Sequence, residues 1–189
     1  ARIHDVRVPD PAQLQTLRTL LLITRHPRTP GRHHTATRRR KLWSVSENWP
    51  YPPEHRVAEL FAAAKRVQEQ AYAPYSHFLG GAAILSSSGR IHVGCNVENA
   101  AYPVGTCAEA GAIAAMCAAG DRDIAVLVTI CDSIDVGTCC GGCRQRVREF
   151  ARPSTPIYAC GPDGVRATFT MESLLPTSFG PENLSGFVS

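Results

Sequence analysis

Two short stretches constrain this chain more than anything else in it: Gly105-Thr106-Cys107-Ala108-Glu109, and further on Cys139-Cys140-Gly141-Gly142-Cys143-Arg144-Gln145. The patterning around each predicts the start of a helix, so three thiols and a carboxylate gather at helix N-termini. The positive end of a helix favours the thiolate over the thiol. Tetrahedral zinc needs soft, deprotonated ligands, and a catalytic zinc keeps its fourth position for water. Cys107, Cys140 and Cys143 therefore read as a metal site, with Glu109 left over to move protons. Three thiolates around a divalent cation leave one net negative charge, and Arg144, next to Cys143, reads as the donor to the thiolates that offsets it. The competing reading is a closed structural site whose fourth ligand is Cys139, Cys95, Cys117 or Cys131. It leaves Glu109 beside the metal without a role.

The 189 residues, 44% of them hydrophobic, suffice for one ordinary domain with an appendage. The C-x-x-C with an upstream Cys reads as metal chemistry in a reducing compartment rather than a secreted disulfide framework, so a cytoplasmic protein is expected. The apolar run at residues 20–23 is far too short to span a membrane, and no small-residue cleavage site follows it. Charge is unevenly spread. Residues 1–50 hold 10 of the 20 Lys and Arg against 3 of the 16 acids, while the rest of the chain is net acidic. Residues 1–52, broken by prolines and carrying Arg38-Arg39-Arg40-Lys41, are expected to be a basic, largely irregular extension with one helix over 11–23. A nucleic-acid arm is disfavoured because no aromatics interleave the basic run.

From residue 53 the pattern is that of a packed domain running to 189. Val57, Leu60, Phe61, Ala64 and Val67 fall at helical spacing. Strands are expected at 80–86 and 90–97, joined by Ser87-Ser88-Gly89. A helix follows over 107–119, closed by Gly120. The apolar, β-branched run 124–131 suits a strand buried on both faces. A helix from the second cysteine turn to about 151, strands at 156–160 and 165–170, and a short helix near 171–175 complete the order. It predicts an α/β protein: one mixed sheet of about five strands with helices on both faces. Asn96-Val97-Glu98-Asn99 would end the second strand with the Asn96 and Glu98 side chains on one face, where they could grip vicinal hydroxyls.

Tyr72-Ala73-Pro74-Tyr75-Ser76-His77-Phe78, Gly94-Cys95-Asn96-Val97-Glu98-Asn99-Ala100, Cys107-Ala108-Glu109, Cys140-Gly141-Gly142-Cys143-Arg144-Gln145 and the tail from Leu174 through Ser178-Phe179-Gly180-Pro181-Glu182 resemble the small, homotetrameric, zinc-dependent cytidine deaminases. The resemblance covers about residues 54–185 with every motif in order. It implies the three-layer α-β-α fold of that family and hydrolytic deamination of cytidine and 2′-deoxycytidine to the uridine product and ammonia, as in pyrimidine salvage. Zinc, one per subunit, would be held by Cys107, Cys140 and Cys143, with Glu109 carrying protons. The backbone around Ala108 and Thr106 would hold the base edge. Asn96 and Glu98 look like readers of the ribose 3′-hydroxyl, and Phe78 like a wall against the base. Phe179 is similar to the aromatic that stacks on the pyrimidine from a neighbouring subunit, with Tyr75 and Tyr102 at that shared boundary. A homotetramer with shared active sites is implied.

Three departures from the family pattern stand out. Ala110 occupies a position where the family often has Arg, Cys139 replaces the usual Pro before C-x-x-C, and Gly80 replaces a usual Val. A deaminase of another aminopyrimidine nucleoside and a catalytically impaired, zinc-stabilised nucleoside-binding protein are the alternatives weighed. A polynucleotide deaminase would usually carry His in place of Cys107. Without Arg at 110 the cluster is expected to be more negative and its water less acidic. Ala110→Arg is accordingly expected to raise turnover in a steady-state assay, and unchanged kinetics would contradict this.

Overall fold

The structure, a computed structural model, describes residues 53–184. The helix expected at 11–23, the basic run and Phe187 lie outside the described residues. After a 3₁₀ turn at Pro53–Arg56 the order is α1 (Val57–Gln68), β1 (Gly80–Ser86), β2 (Ile91–Cys95), α2 (Ala108–Ala118), β3 (Ile124–Cys131), α3 (Gly141–Arg148), β4 (Pro156–Gly161), β5 (Gly164–Thr170) and α4 (Met171–Leu174). The sheet order is β2-β1-β3-β4-β5. Only β3 and β4 run parallel; every other pairing is antiparallel. The parallel pair needs a crossover, and α3 lies within it.

Alternation along the central strands divides the core into two layers. Ala83, Leu85, Val126, Val128 and Ile130 face α1, where Leu60, Ala63 and Ala64 meet them. Ala82, Ile84, Leu127 and Ile157 face the other way, onto Ala112 and Met116 of α2 and Cys143 and Val147 of α3. This is the expected three-layer α-β-α arrangement around a five-stranded mixed sheet. All seven residues of β1 and nearly all of β3 are buried, as strands covered on both faces must be.

Small residues let the helices approach the sheet at backbone range. A Cβ added at Gly81 would lie 2.3 Å from the Ala64 carbonyl oxygen of α1. One added at Gly94 would lie 2.3 Å from the Ala112 nitrogen and 2.4 Å from the Ala108 oxygen. The N-terminal half of α2 thus rests directly on β2, which fixes Cys107 and Glu109 relative to the sheet. Gly80 has no such crowding: an added Cβ would find only ordinary contacts with Asn96 and Ala108, at 3.5–4.0 Å.

Several element ends differ from expectation. β2 stops at Cys95, two residues early: Asn96 N–H still donates to Gly80 O at 3.2 Å, but the Gly80 N–H goes to the Asn96 side-chain oxygen, while Val97 bridges to Tyr72 and Thr106. Asn96 and Glu98 therefore do not share a strand face. α3 ends at Arg148, and Ala151 instead pairs with Ile124 beside the sheet. Cys107 and Cys140 are the N-caps of α2 and α3, with extended backbone, so α2 proper begins at Ala108.

A polar knot closes the far end of α2. Asp121 follows Gly120, whose φ of 90° makes the turn, and accepts hydrogen bonds from Arg90 Nη2 at 2.6 Å, Ser86 Oγ at 2.7 Å and Ser88 Oγ at 2.9 Å, with His92 Nε2 at 2.9 Å. The Arg90 guanidinium above all, then the hydroxyls and His92, hold the Asp121 carboxyl far below the usual carboxylate range against the opposing effect of burial. A depressed carboxyl contributes stability that is present above its unfolded pKa of about 4 and lost as pH falls toward the folded value. Asp121→Asn is expected to lower the unfolding free energy near neutral pH by about 2–3 kcal/mol and to flatten the acid limb below about pH 4 in urea titrations. An unchanged acid limb would contradict this role.

Candidate active site

The two helix starts are brought together on the α2–α3 side of the sheet. Cys107 Sγ and Cys140 Sγ are 3.8 Å apart, and with Cys143 Sγ all three sulfurs lie within 4.8 Å of one another. Zinc–sulfur bonds of about 2.3 Å at tetrahedral angles set sulfurs about 3.8 Å apart, so the donor set fits zinc in both chemistry and spacing. Among the described residues no other group of Cys, His, Asp and Glu side chains is arranged to hold a metal. Among the described residues no fourth cysteine joins it: Cys95, Cys117, Cys131 and the fully buried Cys139 all lie outside the group of mutually close sulfurs. The competing four-cysteine reading therefore fails.

The local sequence explains the convergence. Each N-cap residue has extended backbone, which directs Cys107 and Cys140 into the space ahead of its helix, and Cys143 lies three residues on, in the first turn of α3. Packed together as thiols these groups oppose ionisation. Burial first, then the Cys140 thiol, holds Cys107 above the ordinary range; burial and the Glu109 carboxylate push Cys143 well above it. Burial also works against the Cys140 thiolate, but the Cys143 backbone N–H and the neighbouring thiols outweigh it, so Cys140 lies below its ordinary value. A bound cation would favour the thiolate at all three.

Glu109, in the first turn of α2, is buried at 8% exposure. It lines a cavity of about 210 Å³ together with Cys107, Cys140, Ala108, Phe78 and Asn96. The remaining wall is Gly80, Gly81, Thr129, Ile130, Cys131, Gly137 and Thr138. Asn96 ties the mouth together: its Oδ1 accepts from Gly80 N at 2.8 Å and its Nδ2 donates to Phe78 O at 2.8 Å. Phe78 is half exposed at the rim.

The other expected residues lie elsewhere. Glu98 lines a second, more open cavity of about 340 Å³ with Tyr75, Ser76, Asn99, Tyr102 and Gly105. Its carboxylate accepts from the Ser76 hydroxyl and from the backbone of Tyr75 and Ser76, which lower its pKa. The Tyr75 and Tyr102 rings pack 5.9 Å apart, tilted, and both are exposed. Phe179 is exposed and does not line the first cavity; its carbonyl accepts from Gln145 Nε2 of α3 at 2.9 Å.

Arg144 corrects an expectation. It donates to the Cys139 and Leu174 carbonyl oxygens at 2.9 and 3.0 Å and to Thr138 Oγ1 at 2.8 Å, and makes no bond to a thiol. Its guanidinium pins the 138–139 loop and the end of α4 because those unpaired carbonyls lie within its reach. Compensation for the thiolates falls to the two helix N-termini. Sequence reasoning also missed Thr138, Thr129 and Cys131 as cavity residues. The signal for Thr129 was its position as the lone strongly polar residue in the run Ile124–Cys131.

A three-thiol metal centre with a buried carboxylate beside it, set at the convergence of two helix starts on a three-layer α-β-α sheet, defines a zinc-binding hydrolytic centre. This chain belongs to the cytidine deaminase family. Residues 55–159 match the family model described as the cytidine and deoxycytidylate deaminase zinc-binding region. The cytidine deaminase of Sporosarcina psychrophila is 40% identical over 129 residues, covering 68% of this chain and 95% of the relative. The probable cytidine deaminase of Dictyostelium discoideum is 39% identical, covering 69% and 88%. The crystal structure of cytidine deaminase from Burkholderia pseudomallei superposes with a TM-score of 0.62 at 36% identity, covering 65% of this chain and 98% of that one.

Arg144→Ala removes three partly buried, charge-assisted bonds and is expected to lower stability by about 2–4 kcal/mol in urea unfolding while zinc content stays at the wild-type level. Loss of zinc at unchanged stability would return Arg144 to the thiolates.

Proposed function

We propose that this chain hydrolytically deaminates cytidine and 2′-deoxycytidine to uridine and 2′-deoxyuridine, releasing ammonia, as in pyrimidine salvage. The observation that carries this reading is the buried Glu109 carboxylate in the wall of a cavity of about 210 Å³, beside a three-sulfur cluster of zinc geometry. Zinc held by Cys107, Cys140 and Cys143 would supply, when bound, Lewis acidity that makes water a nucleophile near neutral pH. Glu109 accepts one proton from the attacking water and delivers it to N3 of the pyrimidine, then takes the second from the hydroxyl formed at C4 and passes it to the amine, which leaves as ammonia. Ala108 at the start of α2 offers its backbone to the base edge. Phe78 and Asn96 wall the same cavity and confine the nucleoside. Glu98 and Asn96 serve as ribose readers in this scheme. In the structure the Glu98 carboxylate is held by Ser76 and Tyr75, and the Asn96 amide by Gly80 and Phe78.

The homotetramer is part of the proposal. Tyr72, Tyr75, Phe78, Val97, Tyr102, Val104 and Phe179 are all exposed, apolar surface of the sort that subunit contacts cover. Phe179 would then reach a neighbour's base, and Tyr75 and Tyr102 would lie at the shared boundary. Residues 53–189 form the catalytic domain in this reading, with 1–52 an extension outside it. Eight free thiols accord with a reducing, cytoplasmic setting, and no helix among the described residues is long and apolar enough to cross a membrane.

Following cytidine absorbance with purified protein tests the reading. Glu109→Gln is expected to lower kcat at least a hundredfold with zinc retained. Activity surviving the substitution would refute the proton-carrier role. Inactivity of both proteins with zinc bound would favour a nucleoside-binding protein, and faster deamination of single-stranded DNA than of free cytidine would overturn the substrate assignment.

A further inference from the structure

Arg166 makes a connection that its place in the sheet does not suggest. It lies on the edge strand β5, yet its guanidinium reaches the loop that follows β3, on the far side of β4. Two local features make the crossing possible. Ala159 pairs with Ala167 and Cys160 with Val165, so Arg166 is the extra residue of a β-bulge. A bulge re-aims the side chain it carries. The strand being crossed ends on Gly161, where an added Cβ would lie 2.1 Å from both Cζ and Nε of Arg166. The guanidinium occupies the place of the side chain that β4 lacks there.

What it reaches is loop backbone. Arg166 Nη1 donates to the carbonyl oxygens of Ser133 and Ile134, the latter at 3.2 Å, with Asp135 O at 3.5 Å. Among the described residues no backbone N–H donates to these three carbonyls. Arg166 Nη2 also meets Asp163 at 3.2 Å, an exposed contact that adds little hold. The loop, residues 132–138, runs from the end of β3 to the cysteine turn before α3, and its Gly137 and Thr138 line the Glu109 cavity. Both of its ends have other anchors. Gln68 Nε2 donates to Asp132 Oδ1 at 3.0 Å, and Arg144 donates to Thr138 Oγ1 at 2.8 Å. The middle carries Ile134, 96% exposed, and Val136, 46% exposed, so little apolar packing secures it. Arg166 supplies the hold instead.

We propose that Arg166 is a positioning residue for the nucleoside site: by fixing carbonyls 133–135 it holds the loop whose Gly137 and Thr138 form part of the cavity wall. This role rests on the deaminase reading above and extends the site's support to the edge strand of the sheet. A loosened wall loses contacts made in ground state and transition state alike, so KM responds more than kcat. Cys140 lies beyond the Arg144 anchor, so the metal site keeps its geometry.

The test compares wild type, Arg166→Ala, Gly161→Ala and the double variant by steady-state cytidine turnover, zinc content and hydrogen exchange of backbone amides. Gly161→Ala keeps the charge but fills the guanidinium's passage, so it breaks the same contact from the neighbouring strand. Each single variant is expected to raise KM for cytidine about threefold to tenfold, with kcat within about twofold and zinc at the wild-type level. Exchange at 133–138 is expected to quicken about tenfold while β1 and β3 stay protected. The double variant is expected to match Arg166→Ala, because both changes break one contact. An unchanged KM in either single variant overturns the inference. So does a raised KM accompanied by faster exchange across β1 and β3, which would make general destabilisation responsible. Effects on KM that multiply in the double variant overturn it as well, since they would act by separate routes. Wild type that fails to turn over cytidine defeats the deaminase reading and this role together, whereas active wild type matched by Arg166→Ala defeats this inference alone.

Discussion

The structure depends on bringing two helix N-termini within one metal-ligand diameter of each other. Thiols resist burial and mutual proximity as anions, so three of them gather only where something positive is fixed nearby. Here the fixed positive features are the unpaired N–H groups at the starts of α2 and α3. Those helices hold position because β2 carries Gly94 where α2 crosses it; any side chain there would strike the backbone of Ala108 and Ala112. The metal site is therefore a consequence of helix–sheet packing at backbone distance, and the cavity beside it is the space left ahead of α2.

Much of this was legible in the sequence, and for identifiable reasons. Cys107, Glu109, Cys140 and Cys143 announce themselves by residue type and spacing, since few arrangements place three cysteines at predicted helix starts. The strand β3 was visible because it is covered on two faces and reads as a continuous apolar run, and β1 because the Ser87-Ser88-Gly89 turn sets it off from β2. The three-layer order followed from the alternation of elements. Element ends were less legible where side chains replace backbone partners. β2 stops early where the Asn96 side-chain oxygen takes the Gly80 N–H, which composition does not reveal.

Tertiary electrostatics were the least legible. Sequence adjacency made Arg144 a donor to the thiolates, yet a side chain of that length reaches past its neighbours, and the Cys139 and Leu174 carbonyls captured it. Leu174 is thirty residues away, a distance no local reading crosses. Cys139, which spacing left as a competitor for the metal, is instead fully buried outside the group of three sulfurs. Glu98 likewise spends its carboxylate on Ser76 and Tyr75, holding the loop that leads to Phe78. Residues chosen for one chemical capacity are repeatedly used first to satisfy nearby backbone.

The central claim is that Cys107, Cys140 and Cys143, and not Cys139, hold one zinc ion beside Glu109. Metal content by atomic emission, measured on folded wild type and on the four single Cys→Ser variants, tests it most directly. The account predicts one zinc per chain in wild type and in Cys139→Ser, with zinc lost from Cys107→Ser, Cys140→Ser and Cys143→Ser. Zinc lost from Cys139→Ser while Cys140→Ser retains it would contradict the account.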